Sequence, residues 1–313
     1  MNMNTFKQEV LEGLQQKPKK LSSKYFYDAK GDKLFQQIMQ LDEYYLPKSE
    51  LAIIKKHKNT IAQRLKKHGK SIEILELGAG DGSKTVQLLE GFVNQKIHLK
   101  YLPFDISSNV LKINKQAVLK KYPEINITPI PGNYFKTYQN SAKEYQQRLV
   151  LFLGSNLGNY TLDESANFIH FLKQGMDKND HLIIAFDLVK HPRKIIKAYD
   201  DSKGVTKQFN LNILERINNE LGADFELSNF DHYPYYNPVT GVTYSYIISL
   251  EAQTVTFKTG EKFRFEKFEP IHTEISKKFF KQEILNLAHK SELTIENWFY
   301  DDEETYCFVL FKK

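Results

Sequence analysis

Ile72-Glu73-Ile74-Leu75-Glu76-Leu77-Gly78-Ala79-Gly80-Asp81-Gly82-Ser83-Lys84-Thr85 decides the fold. The apolar run from Ile72 to Leu77 has the length of a buried strand, and it stops at three alternating glycines. Val86, Leu88, Leu89 and Phe92 then recur at helical spacing. A strand, a glycine-rich turn and a helix form the opening unit of a nucleotide-binding α/β sheet. Without a Cβ, the glycines let backbone N–H groups come close to a ligand.

The spacing is G-x-G-x-G with Glu76 just before it, which departs from the dinucleotide fingerprint G-x-G-x-x-G. It resembles the S-adenosylmethionine loop of class I methyltransferases. The following strand, His98-Leu99-Lys100-Tyr101-Leu102-Pro103-Phe104-Asp105, ends in a carboxylate. At that distance after a glycine turn, an acidic strand tip suits the two ribose hydroxyls of a nucleoside. Taken alone, Asp105 would read as the N-cap of a helix beginning near Ser107 rather than as a ribose contact.

Working outward, helices are expected over residues 4–17, 31–40 and from Pro47 onward, the last with Leu51, Ile54, Ile61 and Leu65 on one face. Strands are expected near 72–77, 98–104, 126–130, 148–153 and 181–187, alternating with helices and implying a mostly parallel sheet. Residues 192–222 read as helical, with Phe209, Ile213 and Ile217 on one stripe. Residues 223–270 read as antiparallel strands in which Tyr244, Tyr246 and Ile248 alternate. A helix over 281–289 and strands over 293–300 and 305–311 close the chain. The expected organisation is a cofactor domain (52–190 plus 279–313) interrupted by a second domain (1–51 plus 191–278).

The 313 residues suffice for two domains. With 41% hydrophobic and 26% charged residues, the composition is that of an ordinary globular protein. Apolar runs such as 149–153 and 182–186 are too short to span a bilayer, so no membrane partner is expected. The first residues lack the apolar core of a signal peptide, and a cytoplasmic location is expected. One cysteine, Cys307, excludes an intrachain disulfide and a cysteine-rich zinc site, and no metal is expected. The net charge of +6 is carried by scattered lysines and only five arginines. Bidentate phosphate and base recognition favours Arg, so nucleic acid is not expected as a partner. The cluster Lys55-Lys56-His57-Lys58, with Lys66 and Lys67, reads as a solvated helix face.

Several segments together resemble the histidine-specific Nα-methyltransferase family, which makes the trimethylated betaine hercynine on the ergothioneine route. They are Tyr25-Phe26-Tyr27-Asp28, Glu43-Tyr44-Tyr45, the Gly78 loop, Leu153-Gly154-Ser155-Asn156-Leu157-Gly158-Asn159, Ala198-Tyr199-Asp200-Asp201 with Gly204-Val205-Thr206, and Thr273-Glu274-Ile275-Ser276. The resemblance implies a class I, Rossmann-like methyltransferase sheet with an inserted α+β substrate-binding domain. It implies S-adenosyl-L-methionine as cofactor and a small-molecule amino acid as substrate; a monomer is expected.

By that resemblance, Gly78, Lys84 and Asp105 match cofactor-binding positions. Asn133-Tyr134 falls where the family has Asp and an aromatic, so Asn133 keeps an acceptor oxygen for adenine but loses the charge. Gly154, Asn159 and Tyr199 match contacts to the amino-acid backbone, and an amide and a phenol suit a carboxylate. Glu274 and Ser276 match contacts to the imidazole. Alternating across Ile275, both point the same way on a strand. Tyr27 and Tyr44 match aromatic positions near the amine and imidazole, and Tyr27 is the candidate for orienting the amine or accepting its proton through water. Without the resemblance, Asn159 would read as a turn or helix-cap residue and Tyr199 as a half-buried aromatic; for Tyr27, Tyr44 and Tyr134 the alternative is packing. The family's Met beside the imidazole is matched by Tyr244, with a two-residue slip open; an imidazole is still expected to be preferred. The competing readings are an N-methyltransferase for another amino acid, a nucleic-acid methyltransferase and a non-catalytic S-adenosylmethionine-binding protein. Cys307 lies far from the glycine loop, and Gly-Ser-Asn-Leu-Gly-Asn stands where base-amino methylases carry Asp/Asn-Pro-Pro-aromatic, which disfavours a nucleic-acid substrate.

Overall fold

The computed structural model describes residues 3–66, 71–138, 141 and 143–313; Lys67 lies outside them. The chain folds as two compact units, each made of segments distant in sequence. One is Met1–Tyr45 with Lys190–Ser276, and the other is Leu46–Val189 with Lys277–Lys313. The boundary expected at 51/52 falls inside a continuous helix, Leu46–Lys66.

The second unit is built on one large sheet. Its principal strands are β1 (Ser71–Leu77), β2 (His98–Asp105), β3 (Asn126–Ile127), β4 (Arg148–Phe152), β5 (His181–Asp187), β6 (Thr294–Tyr300) and β7 (Tyr306–Lys312). They lie in the order β6-β7-β5-β4-β1-β2-β3, with Ile130–Pro131 paired to the end of β2. The pairs β1–β2, β1–β4, β2–β3 and β4–β5 are parallel, and β7 runs antiparallel to both β5 and β6. Strand order reverses at β1, between β2 and β4. This is where an open α/β sheet forms its ligand crevice, at the carboxyl ends of the strands. It is the class I methyltransferase, Rossmann-like arrangement.

Ile72 to Leu77 and all of β4 and β5 are buried, because a parallel sheet is covered on both faces. Leu75, Phe104, Phe152, Ile184 and Val309 belong to its core. No helix among the described residues is long and apolar enough to cross a membrane.

The first unit has a four-stranded sheet in the order Lys19–Lys20, Pro270–Lys277, Val242–Ser249, Phe230–Asn237. Phe6, Tyr25, Phe26, Phe209, Ile213 and Ile247 belong to a core of its own. The helical stretch expected over 192–222 is two helices, Pro192–Tyr199 and Val205–Leu221. Asp201 explains the break: its carboxylate accepts from the N–H groups of Val205 (2.9 Å) and Thr206 (2.7 Å). Those are donors that a helix start leaves without an intrahelical partner.

Candidate active site

The glycine turn after β1 is held by its neighbours. Gly78, Gly80 and Gly82 all have left-handed φ, at 71°, 58° and 75°. The Gly80 N–H donates to Asp105 Oδ2 (3.1 Å), and the Ser107 N–H donates to Oδ1 (2.9 Å). Asp105 is therefore not the helix cap; Ser107 caps Ser108–Lys121 by accepting from the Val110 N–H. A Cβ built on Gly80 meets nothing within 4 Å, so the space above this turn is open. A turn with no side chain at Gly80, open above and closed by an acidic strand tip, fits the close approach of the nucleoside of S-adenosylmethionine.

Beneath the turn lies a buried polar cluster. Glu76 accepts from the Thr85 hydroxyl at 2.9 and 2.7 Å and from the Tyr101 hydroxyl at 2.5 Å. Asn114 Nδ2 donates to the Gly80 carbonyl (3.1 Å) and to the Tyr101 oxygen (3.3 Å). Burial raises the Glu76 carboxyl from 4.5 to about 7, with the Thr85 and Tyr101 bonds opposing the shift. A raised acid favours the folded state below its unfolded pKa, and that contribution fades as pH rises through the folded value. The unmodified protein should thus lose ~2–3 kcal/mol relative to Glu76→Gln between about pH 5 and about pH 8. Urea unfolding of both proteins at each pH checks this, and parallel stability curves would contradict it.

Lys84 sits immediately before the helix Thr85–Asn94. Its ammonium pairs with Glu50, which is 1% exposed. Burial pulls Lys84 down from 10.5 to about 8, and the carboxylate beside it works in the opposite direction. Glu50 Oε1 also accepts from the Gly154 N–H (2.6 Å) and the Tyr306 hydroxyl (3.2 Å). Gly154 thus turns its N–H toward Glu50 and leaves its Cα side exposed, with φ 76°. The next residue, Ser155, is buried and also left-handed, at φ 56°. A non-glycine residue held in that region signals a constrained loop. Asn159 ends the short 3-10 turn Asn156–Asn159 and is exposed.

Asn133 follows the Ile130–Pro131 strand that pairs with Phe104 and Asp105. Its Oδ1 accepts from the Phe135 N–H (2.9 Å), capping the helix Tyr134–Thr137. The acceptor oxygen expected for adenine is therefore shared with its own helix. Tyr134 packs edge-on to Phe152 and Phe168, at 6.4 and 6.1 Å between centroids. Burial, then Tyr160, pushes its hydroxyl well above the usual range.

The first unit gathers the other candidates. The Tyr199 hydroxyl donates to Ser276 Oγ at 2.7 Å. His272, Glu274 and Ser276 are half-buried and alternate with the buried Ile271 and Thr273. Tyr244 lies on the corresponding half-buried face of the adjacent strand, stacked with Tyr235 and Tyr246 and 6.0 Å from His272. It is outside the unit's core. Tyr27 meets Phe35 and Phe209 edge-on at 5.6 and 5.5 Å, and Phe35 meets Tyr44 at 6.5 Å. The Tyr27 side chain keeps one side open, at 45% exposure, within otherwise dense surroundings. Those surroundings, then the Glu274 charge, raise its hydroxyl well above the tyrosine range. Tyr27 is a neutral hydrogen-bonding group here, not an anionic base.

Glu50, Asn114 and Tyr101 were not singled out from the sequence. Glu50 carried a signal: it falls on the apolar stripe with Leu46, Ile53 and Ile54, where a charge needs partners.

The described residues hold no cluster of His, Cys, Asp or Glu that could bind a metal. The family model for histidine-specific, S-adenosylmethionine-dependent methyltransferases matches residues 6–313. The histidine N-alpha-methyltransferase of Mycolicibacterium smegmatis is 33% identical over 296 residues, 94% of this chain and 91% of that protein. That of Mycobacterium tuberculosis is 36% identical over 231 residues, 74% of this chain and 70% of its own. Ergothioneine biosynthesis protein 1 of Schizosaccharomyces pombe is 29% identical over 282 residues, 88% of this chain and 36% of that protein. Among solved structures, the CcbJ methyltransferase from Streptomyces caelestis aligns with a TM-score of 0.45 at 11% identity, over 82% of this chain and 94% of that one. The glycine turn, the reversed strand order and the match across residues 6–313 agree, and the chain belongs to the histidine-specific, S-adenosylmethionine-dependent methyltransferase family.

Proposed function

We propose that this protein methylates the α-nitrogen of L-histidine, adding three methyl groups to give hercynine. The observation that carries the reading is the Glu274–Ser276 face, with Ser276 hydrogen-bonded to Tyr199. A carboxylate accepts one imidazole N–H and a hydroxyl serves the other ring nitrogen, whereas an apolar side chain would leave the carboxylate without a partner.

S-adenosylmethionine, when bound, supplies a sulfonium methyl for in-line displacement. Gly78, Lys84 and Asp105 hold its polar groups, and Tyr134 flanks the adenine with Asn133 at its edge. Gly154 and Asn159 hold the amino-acid backbone, and Tyr199 joins them by turning its one hydroxyl proton from Ser276 to the carboxylate. Tyr27 and Tyr44 border the amine and imidazole. The amine must be neutral to react, because an ammonium has no lone pair. Alignment and a water-poor surrounding favour that state. A neutral Tyr27 orients the nitrogen, and tyrosine faces steady the growing cation at about 0.5–2 kcal/mol. We place the enzyme in the reducing cytoplasm as a monomer acting on a free amino acid, a setting that its single buried cysteine, Cys307, accommodates.

The backbone clamp makes histamine the informative competitor. Losing a hydrogen-bonded carboxylate costs about 1.5–3 kcal/mol, so histamine should be methylated about 10–100-fold less efficiently than histidine. Equal kcat/KM for the two would remove Asn159 and Tyr199 from the clamp. A second reading, an aromatic amino acid as acceptor, is favoured by the stacked Tyr235, Tyr244 and Tyr246 beside His272.

A further inference from the structure

Glu50 is a buried acid for which the reaction as described has no use. It is held on the helix Leu46–Lys66, and three chain segments far apart in sequence converge on its carboxylate. Oε2 meets the Lys84 ammonium at the start of the helix that follows the glycine turn. Oε1 takes the Gly154 N–H and the Tyr306 hydroxyl. The two oxygens are thus divided. One faces a residue of the cofactor side, and the other faces the first residue of the Gly154–Asn159 loop.

Local conformation gives this division consequences. Gly154 and Ser155 are successive left-handed residues, a pair that an unrestrained chain leaves readily. The Gly154 N–H is fixed by Glu50, so the carboxylate anchors the turn at its entry. Lys84 retains 34% side-chain exposure against 1% for Glu50, so the pair lies at the edge of the buried region with the carboxylate inside. A buried carboxylate stripped of either set of partners is strongly disfavoured. A shift of Lys84 is therefore felt at the Gly154 N–H through a single rigid group.

We propose that Glu50 is a positioning residue that couples the Lys84 side of the site to the Gly154 loop, so that cofactor binding and amino-acid binding depend on one shared carboxylate. The proposal rests on the assignment of Lys84 to the cofactor and Gly154 to the substrate. In Glu50→Gln, one amide oxygen must replace two carboxylate oxygens. If that oxygen serves Gly154 and Tyr306, the amide NH2 is turned on the Lys84 ammonium.

The test is a double-variant cycle read by calorimetry with S-adenosylhomocysteine, together with KM for histidine at saturating S-adenosylmethionine. Lys84→Met is expected to weaken S-adenosylhomocysteine at least about tenfold, and Glu50→Gln about 5–20-fold; the double variant should match Lys84→Met within about twofold. Glu50→Gln should also raise the histidine KM, which Lys84 acting alone would not explain. Multiplying losses in the double variant, or Glu50→Gln binding S-adenosylhomocysteine normally, would overturn the coupling while leaving the cofactor role of Lys84 intact. An unchanged affinity in Lys84→Met would overturn that role and the coupling with it. Should Glu50→Gln not fold, Tyr306→Phe removes one donor from the same oxygen. It should weaken S-adenosylhomocysteine about 2–5-fold in the otherwise unmodified protein and not at all beside Lys84→Met; equal effects in both backgrounds would overturn the proposal.

Discussion

Gly80→Ala should lose S-adenosylmethionine binding by about tenfold or more, at ~1.4 kcal/mol per decade, while the fold stays nearly as stable. Gly80 and Gly82 separate the two kinds of damage. Around Gly80 a Cβ finds open space, so the added methyl meets no protein atom and projects where the ligand approaches. The remaining cost is the left-handed φ of 58°, about 1 kcal/mol for alanine. At Gly82 the same methyl comes within 2.8 Å of the Asn114 side chain. Asn114 is fully buried and tied to the Gly80 carbonyl and the Tyr101 hydroxyl, so it has nowhere to move. Overpacking and left-handed strain together put Gly82→Ala at ~2–4 kcal/mol of lost stability. Thermal melts and calorimetry with S-adenosylhomocysteine on the two variants check the contrast. A Gly80→Ala protein that binds normally would remove this turn from the cofactor site.

Glu274→Ala should cut kcat/KM for histidine by about 10–100-fold, corresponding to ~1.5–3 kcal/mol for a hydrogen bond to a charged group. Affinity for S-adenosylhomocysteine should stay within about twofold, since Glu274 is assigned to the amino-acid side chain and not to the cofactor. Glu274→Gln should recover part of the loss, because an amide oxygen still accepts the imidazole N–H. If Glu274→Ala leaves histidine turnover unchanged, the strand face bearing Ser276 and His272 does not read the side chain.

Much of the sheet was legible because local signals agree with the tertiary result. The run Ile72–Leu77 is uniformly apolar except for its two glutamates, and the glycines that end it adopt the left-handed conformation for which they are suited. The last two strands were placed from the sequence within one residue of their observed bounds, and β7 takes its antiparallel place beside β5. Other features depend on partners distant in sequence. Glu50 falls on an apolar stripe, but the partners that take up its charge, Gly154 and Tyr306 among them, are brought to it only by the fold. Lys19 and Lys20 form a strand only because Ile271 and His272 offer an edge. The break before Val205 needs Asp201 to turn its carboxylate onto two N–H groups, which helical periodicity does not reveal. Asn133 reads as a base-contacting residue by analogy, yet its oxygen also caps its own helix.

The most direct measurement is mass spectrometry of free amino acids incubated together with the protein and S-adenosylmethionine. The account predicts that histidine is consumed and hercynine accumulates, with S-adenosylhomocysteine formed in proportion to the methyl groups transferred and phenylalanine and leucine left essentially unmodified. Efficient methylation of phenylalanine or leucine, with histidine ignored, would contradict it.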